Sequence, residues 1–222
     1  MLKFHNITKD DMCNGTGLRV VLWLSGCDRH CEGCQNPQTW DPEVGLDFDA
    51  VALEELEVEL RKDYIQGVTL TGGDPLYKGN EEDVVDLCKY IKGKYPKKNI
   101  WLYTGALWEA IKDHEILHYI DVLCEGPYMI DYHADPHFHW VGSYNQRVID
   151  VKESLKTGEL VPLEKDQYER GREIYENQRK NTEKLRTNSQ SGDLYVTTPA
   201  RSEACEDRLR DTCDCFDSDR SC

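Results

Sequence analysis

Short apolar runs separated by longer amphipathic stretches set the rhythm of the first two thirds of the chain. Arg19–Gly26 (RVVLWLSG) is a short apolar run closed by glycine, the pattern of a buried parallel strand. Gly67–Gly73 (GVTLTGG), Asn99–Gly105 (NIWLYTG) and Asp121–Gly126 (DVLCEG) repeat the pattern, and Arg147–Val151 (RVIDV) supplies a fifth run. Between them the apolar period lengthens. Asp49–Tyr64 carries Val51, Leu53, Leu56, Val58 and Leu60 at helical spacing, with Asp47 or Asp49 placed to cap the first turn. Asn80–Gly93 gathers Val84, Leu87, Cys88 and Ile91 on one helical face, and Gly93 suits its end. A shorter helical stretch runs from Leu107 to Lys112.

Strands that alternate with helices predict an α/β fold with a parallel sheet built from βαβ units. Each run ends in glycine or a polar residue, and ligands of α/β sheets bind at those carboxyl ends. The candidate site residues therefore fall on one rim. After Pro162 the pattern dissolves. Residues 164–186 are dense in charge, with Tyr168, Ile174, Tyr175 and Leu185 as sparse apolar points, which predicts a solvated helix. Residues 187–222 are rich in Ser, Thr, Asp and Arg and hold four of the ten cysteines. The expected division is a domain over 1–160 followed by a charged extension, helical then flexible, over 161–222.

Composition narrows the function. The 222 residues carry a net charge of −15, and no basic stripe interrupts it, so a nucleic-acid partner is excluded. The longest apolar run, Val20–Leu24, is far too short to span a membrane. Met1–Asp11 is mixed polar and lacks the apolar core of a signal peptide, so a cytoplasmic protein is expected. Ten cysteines in a reducing compartment point to metal or redox chemistry rather than disulfides.

Three of them, Cys27, Cys31 and Cys34, sit on one loop just after the first predicted strand. Three thiolates this close can cap three irons of a 4Fe–4S cube and leave the fourth iron open to a small molecule. The competing reading is a closed zinc site with His30 as the fourth ligand, but zinc favours paired C-x2-C spacing. Asn14–Gly17 has two glycines but precedes a strand, which rules out a dinucleotide fingerprint.

The loop CDRHCEGC matches the CxxxCxxC signature of the radical S-adenosylmethionine enzymes. NGTGLR (14–19), SGCDRHCEGCQNPQTW (25–40), TGGDP (71–75), IWLYTG (100–105) and WVGSYNQRVIDV (140–151) together resemble the activating enzymes of anaerobic ribonucleoside-triphosphate reductase. The resemblance spans residues 3–155. It implies the partial, incomplete TIM-like β/α barrel of the radical S-adenosylmethionine type. It implies a 4Fe–4S cluster on three cysteines, and S-adenosyl-L-methionine as the second cofactor. The reduced cluster of that family cleaves S-adenosylmethionine to methionine and a 5′-deoxyadenosyl radical. The radical then removes a hydrogen from a glycine of the large catalytic reductase subunit. A reduced flavodoxin or ferredoxin is the implied electron donor.

The same resemblance assigns residues. Cys27, Cys31 and Cys34 are the implied ligands and catalytic centre. Gly72 and Gly73 resemble the family's glycine-rich motif, whose backbone comes close to the ligand, and Asp74 is the candidate acceptor for the methionine ammonium. Gly33, Gln35 and Asn36 flank the last thiol and are candidate contacts; Gln35 stands where many radical enzymes carry an aromatic residue. Ser143 and Asn145, with Gln146 and Arg147, belong to the late G-S-x-N-Q segment, near either the ligand or the reductase. Cys88 and Cys124 read as core, and Trp101 and Trp108 as core or rim packing. His133, His137 and His139 read as a polar loop. The tail cysteines Cys205, Cys213, Cys215 and Cys222 match no zinc spacing. Two other functions compete: activation of a different glycyl-radical enzyme, and a non-catalytic metal-binding interaction module.

Overall fold

The glycine-closed runs become the middle of one sheet, because each is apolar on both faces and must be covered on both. A computed structural model describes residues 1–190, with side chains as far as Arg186. In chain order the elements are β1 (Lys3–Asp11), β2 (Arg19–Leu24), β3 (Leu46–Asp47), α1 (Ala50–Leu60), β4 (Gly67–Gly72), α2 (Glu81–Lys94), β5 (Asn99–Thr104) and α3 (Trp108–Ile111). They continue with β6 (Val122–Glu125), β7 (Arg147–Asp150), α4 (Val151–Thr157) and α5 (Lys165–Gln190). Residues Met1–Lys180 form one compact unit; of the second, Asn181–Cys222, only the continuation of α5 is described.

The sheet order is β3-β1-β2-β4-β5-β6-β7. The chain is thus a mixed α/β protein, and the expected parallel arrangement holds only for β2, β4, β5 and β6. The flanks are antiparallel. The link from β1 to β2 is too short for a crossover, and the link from β6 to β7 contains no α-helix to carry one. Val122 pairs with Asp150 and Glu125 with Arg147, so the fifth apolar run returns beside the fourth.

Alternation along the strands divides the residues between two faces. Val20, Leu22 and Leu24 of β2 turn one way with Val68, Leu70, Ile100, Leu102, Leu123 and Ile149. They meet Leu56 and Leu60 of α1 and Val84, Cys88 and Ile91 of α2 in the main core. Each fully buried aliphatic side chain there contributes roughly 1.5–3 kcal/mol. Asp49 caps α1, accepting from the amides of Val51 and Ala52 at 2.9 and 3.0 Å. Val51 and Val58 are exposed on α1, whereas Glu57 and Glu59 are buried in ion pairs. Gly93 is not the stop of α2; the helix runs through it to Lys94, and Tyr95 caps it.

The opposite face carries Trp101, Val122, Cys124 and Val148 in a smaller cluster, with Trp140, Val141 and Leu163 packed against it. Arg19 is fully buried on this side. Its Nε donates to Thr69 at 2.8 Å and its amino groups to Val68 O at 2.8 Å and Asn99 Oδ1 at 2.7 Å. Burial lowers its pKa to about 10, which leaves it charged at neutral pH. Thr69 in turn donates to Asn14 O at 2.7 Å, so the Asn14–Gly17 turn closes the amino-terminal end of this face.

The charge-dense stretch after Pro162 does form a helix, α5, and it is tied to the domain at several points. Tyr175 meets Tyr132 edge to face at 4.7 Å, and Arg170 lies over Phe138 at 5.2 Å. Gln167 exchanges hydrogen bonds with the backbone of His139 at 2.8 and 3.1 Å. Among the described residues no helix is long and apolar enough to cross a membrane. The four tail cysteines lie outside the described residues.

Candidate functional site

The carboxyl ends of β2, β4, β5 and β6 converge on a cleft of about 190 Å³. Cys27, Cys31 and Cys34 line it, with Gln35 and Asn36 from the same loop, Gly72, Gly73 and Asp74 from the end of β4, and Thr104 and Gly105 from the end of β5. Trp23, Tyr103 and Cys124 point into it from the strands. A larger cavity, about 410 Å³, lies between α5 and residues 138–148 and shares only Gln146 with this cleft.

The cysteine loop is anchored at its base. The amides of Gly26 and Cys27 donate to Thr39 O at 2.8 Å and Trp40 O at 3.0 Å, so the loop leaves and returns side by side. Gly33 takes φ +67°, a left-handed turn that brings Cys34 back towards Cys31, whose carbonyl accepts the Cys34 amide at 3.1 Å. The amide of Asn36 donates to the Cys34 sulfur at 3.3 Å. All three thiols are half-buried. Burial pushes the Cys27 thiol up, an effect partly offset by the backbone amide of Arg29. His30, the possible fourth ligand of a zinc site, does not line the cleft; its ring meets Trp40 edge to face at 4.8 Å. Among the described residues no three His, Cys, Asp or Glu side chains gather tightly enough to hold a single metal ion.

The glycine turn after β4 serves this loop first. The amide of Gly73 donates to Leu24 O at 2.8 Å and that of Asp74 to Gly26 O at 2.9 Å. Gly72 has φ +100°, and a Cβ there would lie 2.8 Å from the backbone of Leu24. The glycines are therefore required by backbone packing against the start of the cysteine loop as well as by proximity to the cleft. Asp74 is buried, and both of its oxygens are engaged. Oδ1 accepts from Leu76 N at 3.0 Å and Thr104 Oγ1 at 2.7 Å; Oδ2 accepts from Arg29 Nε at 2.9 Å and Gly105 N at 3.1 Å. It joins the cysteine loop, β4 and β5 at one point.

The late segment is divided between the cleft and its surroundings. Ser143 and Asn145 do not line the cleft. Ser143 is buried and its Oγ accepts from Met129 N at 3.2 Å; Asn145 Nδ2 donates to Pro127 O at 2.7 Å, and Asn145 faces the larger cavity. Gly142 and Gln146 are the residues of this segment that reach the cleft, and Gln146 is held by Gly126 O, Gly142 N and Ser143 N. Sequence reasoning also missed Arg29, Thr104, Gly105, Trp23, Tyr103 and Tyr128. Period-two alternation back from the strand ends would have found Trp23, Tyr103 and Thr71, which share a sheet face. Cys124 is core as expected, yet it also floors the cleft beside Tyr103.

Residues 13–149 match the 4Fe-4S single cluster domain. The anaerobic ribonucleoside-triphosphate reductase-activating protein of Enterobacteria phage T4 is 44% identical over 147 residues, 66% of this chain and 93% of that protein. The proteins of the same name from Haemophilus influenzae and Escherichia coli K12 are 39% and 34% identical over 140 and 151 residues. Those alignments cover 61% and 66% of this chain and 90% and 97% of those proteins. The chain belongs to the family of anaerobic ribonucleoside-triphosphate reductase-activating proteins. The domain match that marks the family here contains the cysteine loop, the Gly72–Asp74 turn and residues 142–146, and stops before α4 and α5.

Proposed function

We propose that this protein activates an anaerobic ribonucleoside-triphosphate reductase by reductive cleavage of S-adenosylmethionine, leaving a glycyl radical on the large catalytic subunit. On this reading residues 1–160 are a radical S-adenosylmethionine domain of the partial-barrel type and 161–222 an extension. The protein acts in the cytoplasm and takes its electron from a reduced flavodoxin or ferredoxin. Cys27, Cys31 and Cys34 would hold a 4Fe–4S cluster. A cluster held there would supply the one-electron reduction that cleavage of S-adenosylmethionine requires.

The observation that carries the reading is the meeting of three thiols and the Gly72–Asp74 turn in one cleft at the carboxyl ends of parallel strands. The donor set suits such a cluster. Three half-buried thiols share one loop, and a backbone amide already donates to the sulfur of Cys34, the kind of hydrogen bond that tunes a cluster. The chain's own residues hold the loop through Gly26, Cys27 and Asp74. Trp23, Tyr103 and Cys124 wall the cleft and exclude water from reactive species. Gln35 offers an amide to the ligand.

The deciding experiment is electron paramagnetic resonance under strict anaerobiosis, with this protein, the reductase, S-adenosylmethionine and a reductant. A glycyl radical signal dependent on all four is expected. Turnover of S-adenosylmethionine with no signal on the reductase, but signal on another glycyl-radical enzyme, would move the assignment to that partner. Tightly bound zinc and no cleavage would leave a metal-binding module.

A further inference from the structure

This acidic protein, with 42 Asp and Glu against 27 Lys and Arg, presents a single Lys or Arg side chain to the cleft among the described residues, Arg29. The side chain bridges three elements. It leaves the cysteine loop, donates from Nε to Asp74 at 2.9 Å, and lays its stem over Gly105, where any Cβ would collide with its Cδ. Asp74 is itself fixed by Leu76, Thr104 and Gly105, so the anchor does not swing. An arginine has five N–H donors, and this anchor uses one. The terminal amino groups of Arg29 have no protein partner among the described residues. Its side chain is 36% exposed, whereas that of Asp74 is 5% exposed.

A guanidinium tied down through Nε offers its other edge as a rigid two-pronged donor, the shape that matches a planar carboxylate. The geometry points to Arg29 as the residue that receives the carboxylate of the methionyl group of S-adenosylmethionine. This is a specificity-determining contact, and it rests on the function proposed above.

The test is equilibrium binding to the anaerobically reconstituted full-length protein, with S-adenosylmethionine and its decarboxylated analogue as the two probes. Wild type should bind S-adenosylmethionine more tightly than the analogue. Arg29→Ala, with full iron content, should weaken S-adenosylmethionine binding by roughly 10- to 100-fold and leave the analogue unchanged. Arg29→Lys, which keeps the charge but not the fork, should fall between them. Unchanged S-adenosylmethionine affinity in Arg29→Ala, or equal weakening of both probes, would overturn the assignment while leaving the proposed function standing. Failure of wild type to bind S-adenosylmethionine at all would instead sink the proposed function. Should both variants lose iron, the two probes are compared on iron-free wild type and iron-free Arg29→Ala: a wild-type preference for the carboxylate that the variant lacks supports the contact, and the same affinity ratio in both rejects it.

Discussion

The amide of Asp74 donates to the carbonyl of Gly26 at 2.9 Å, and this bond draws the turn after β4 against the first residue before the cysteine loop. The residue between, Gly73, has no room for a side chain, because a methyl group would collide with the Gly26 carbonyl oxygen. Gly73→Ala should therefore push the two backbones apart, at a cost of roughly 1–3 kcal/mol, as for other overpacked sites. The loop should suffer more than the sheet. We expect a modest loss of stability in urea unfolding together with a marked fall in iron retained after anaerobic reconstitution. Iron content equal to wild type would show that the turn does not position the loop.

Tyr175 offers a test of what α5 contributes. Its ring meets Tyr132 at 4.7 Å, and the helix around it covers Phe138, whose ring packs on Tyr144 at 4.8 Å. Tyr175→Ala removes an aromatic pair and part of that cover, so a loss of about 1–2 kcal/mol in urea unfolding is expected. Cleavage of S-adenosylmethionine should persist, because the cavity beside α5 shares only Gln146 with the cysteine cleft. Loss of cleavage in a folded Tyr175→Ala protein would make α5 part of the site.

Much of this arrangement was legible in the sequence, and what was not has physical reasons. The three loop cysteines and the Gly72–Asp74 turn announced themselves because their spacing is local and chemically restrictive. Strand β1 was passed over as mixed polar. Its register shifts between Phe4 and Asn6, so the buried positions run Leu2, Phe4 and then Ile7, and the period of two is broken. The direction of β7 could not be read from four residues, since it depends on the connection and not on the strand. Asp74 drew notice as a ligand contact, but its four donors come from three separate segments of the chain, and no spacing announces such a hub. Ser143 and Asn145 shared a motif with Gly142 and Gln146, yet they miss the cleft that those two line, because they are spent on Met129 and Pro127.

Glu57 sets an acid limit to stability. Hydrogen bonds from Lys94, then Tyr90 and Arg61, outweigh its burial and hold its pKa down to about 2, against 4.5 for an ordinary glutamate. A carboxylate depressed in the folded state stabilises fully above its unfolded pKa and loses that contribution as the pH falls through the folded value. The stability gap between wild type and Glu57→Gln should thus be constant from pH 7 to 5 and shrink as the pH falls from about 4.5 towards 2. Urea unfolding at a series of pH values measures it. A gap that stays constant down to pH 3 would mean that the ion pairs around Glu57 add nothing to the fold.

Two cysteines of the same cleft should behave oppositely. Cys31 sits half-buried on the loop and lines the cleft, whereas Cys124 lies in β6 with 3% of its surface exposed. Burial pushes the Cys124 thiol up to about 12, although Tyr103 hydrogen-bonds to it, so it stays protonated at neutral pH. Cys31→Ala should abolish retention of the cluster and all cleavage of S-adenosylmethionine. Cys124→Ala should keep the iron content of wild type and lose only packing, on the order of 1 kcal/mol for one small buried group. Iron and sulfide counts on both reconstituted variants decide the matter. A Cys31→Ala protein that still installs a glycyl radical would refute the ligand assignment, and a Cys124→Ala protein depleted of iron would place the floor of the cleft among the ligands.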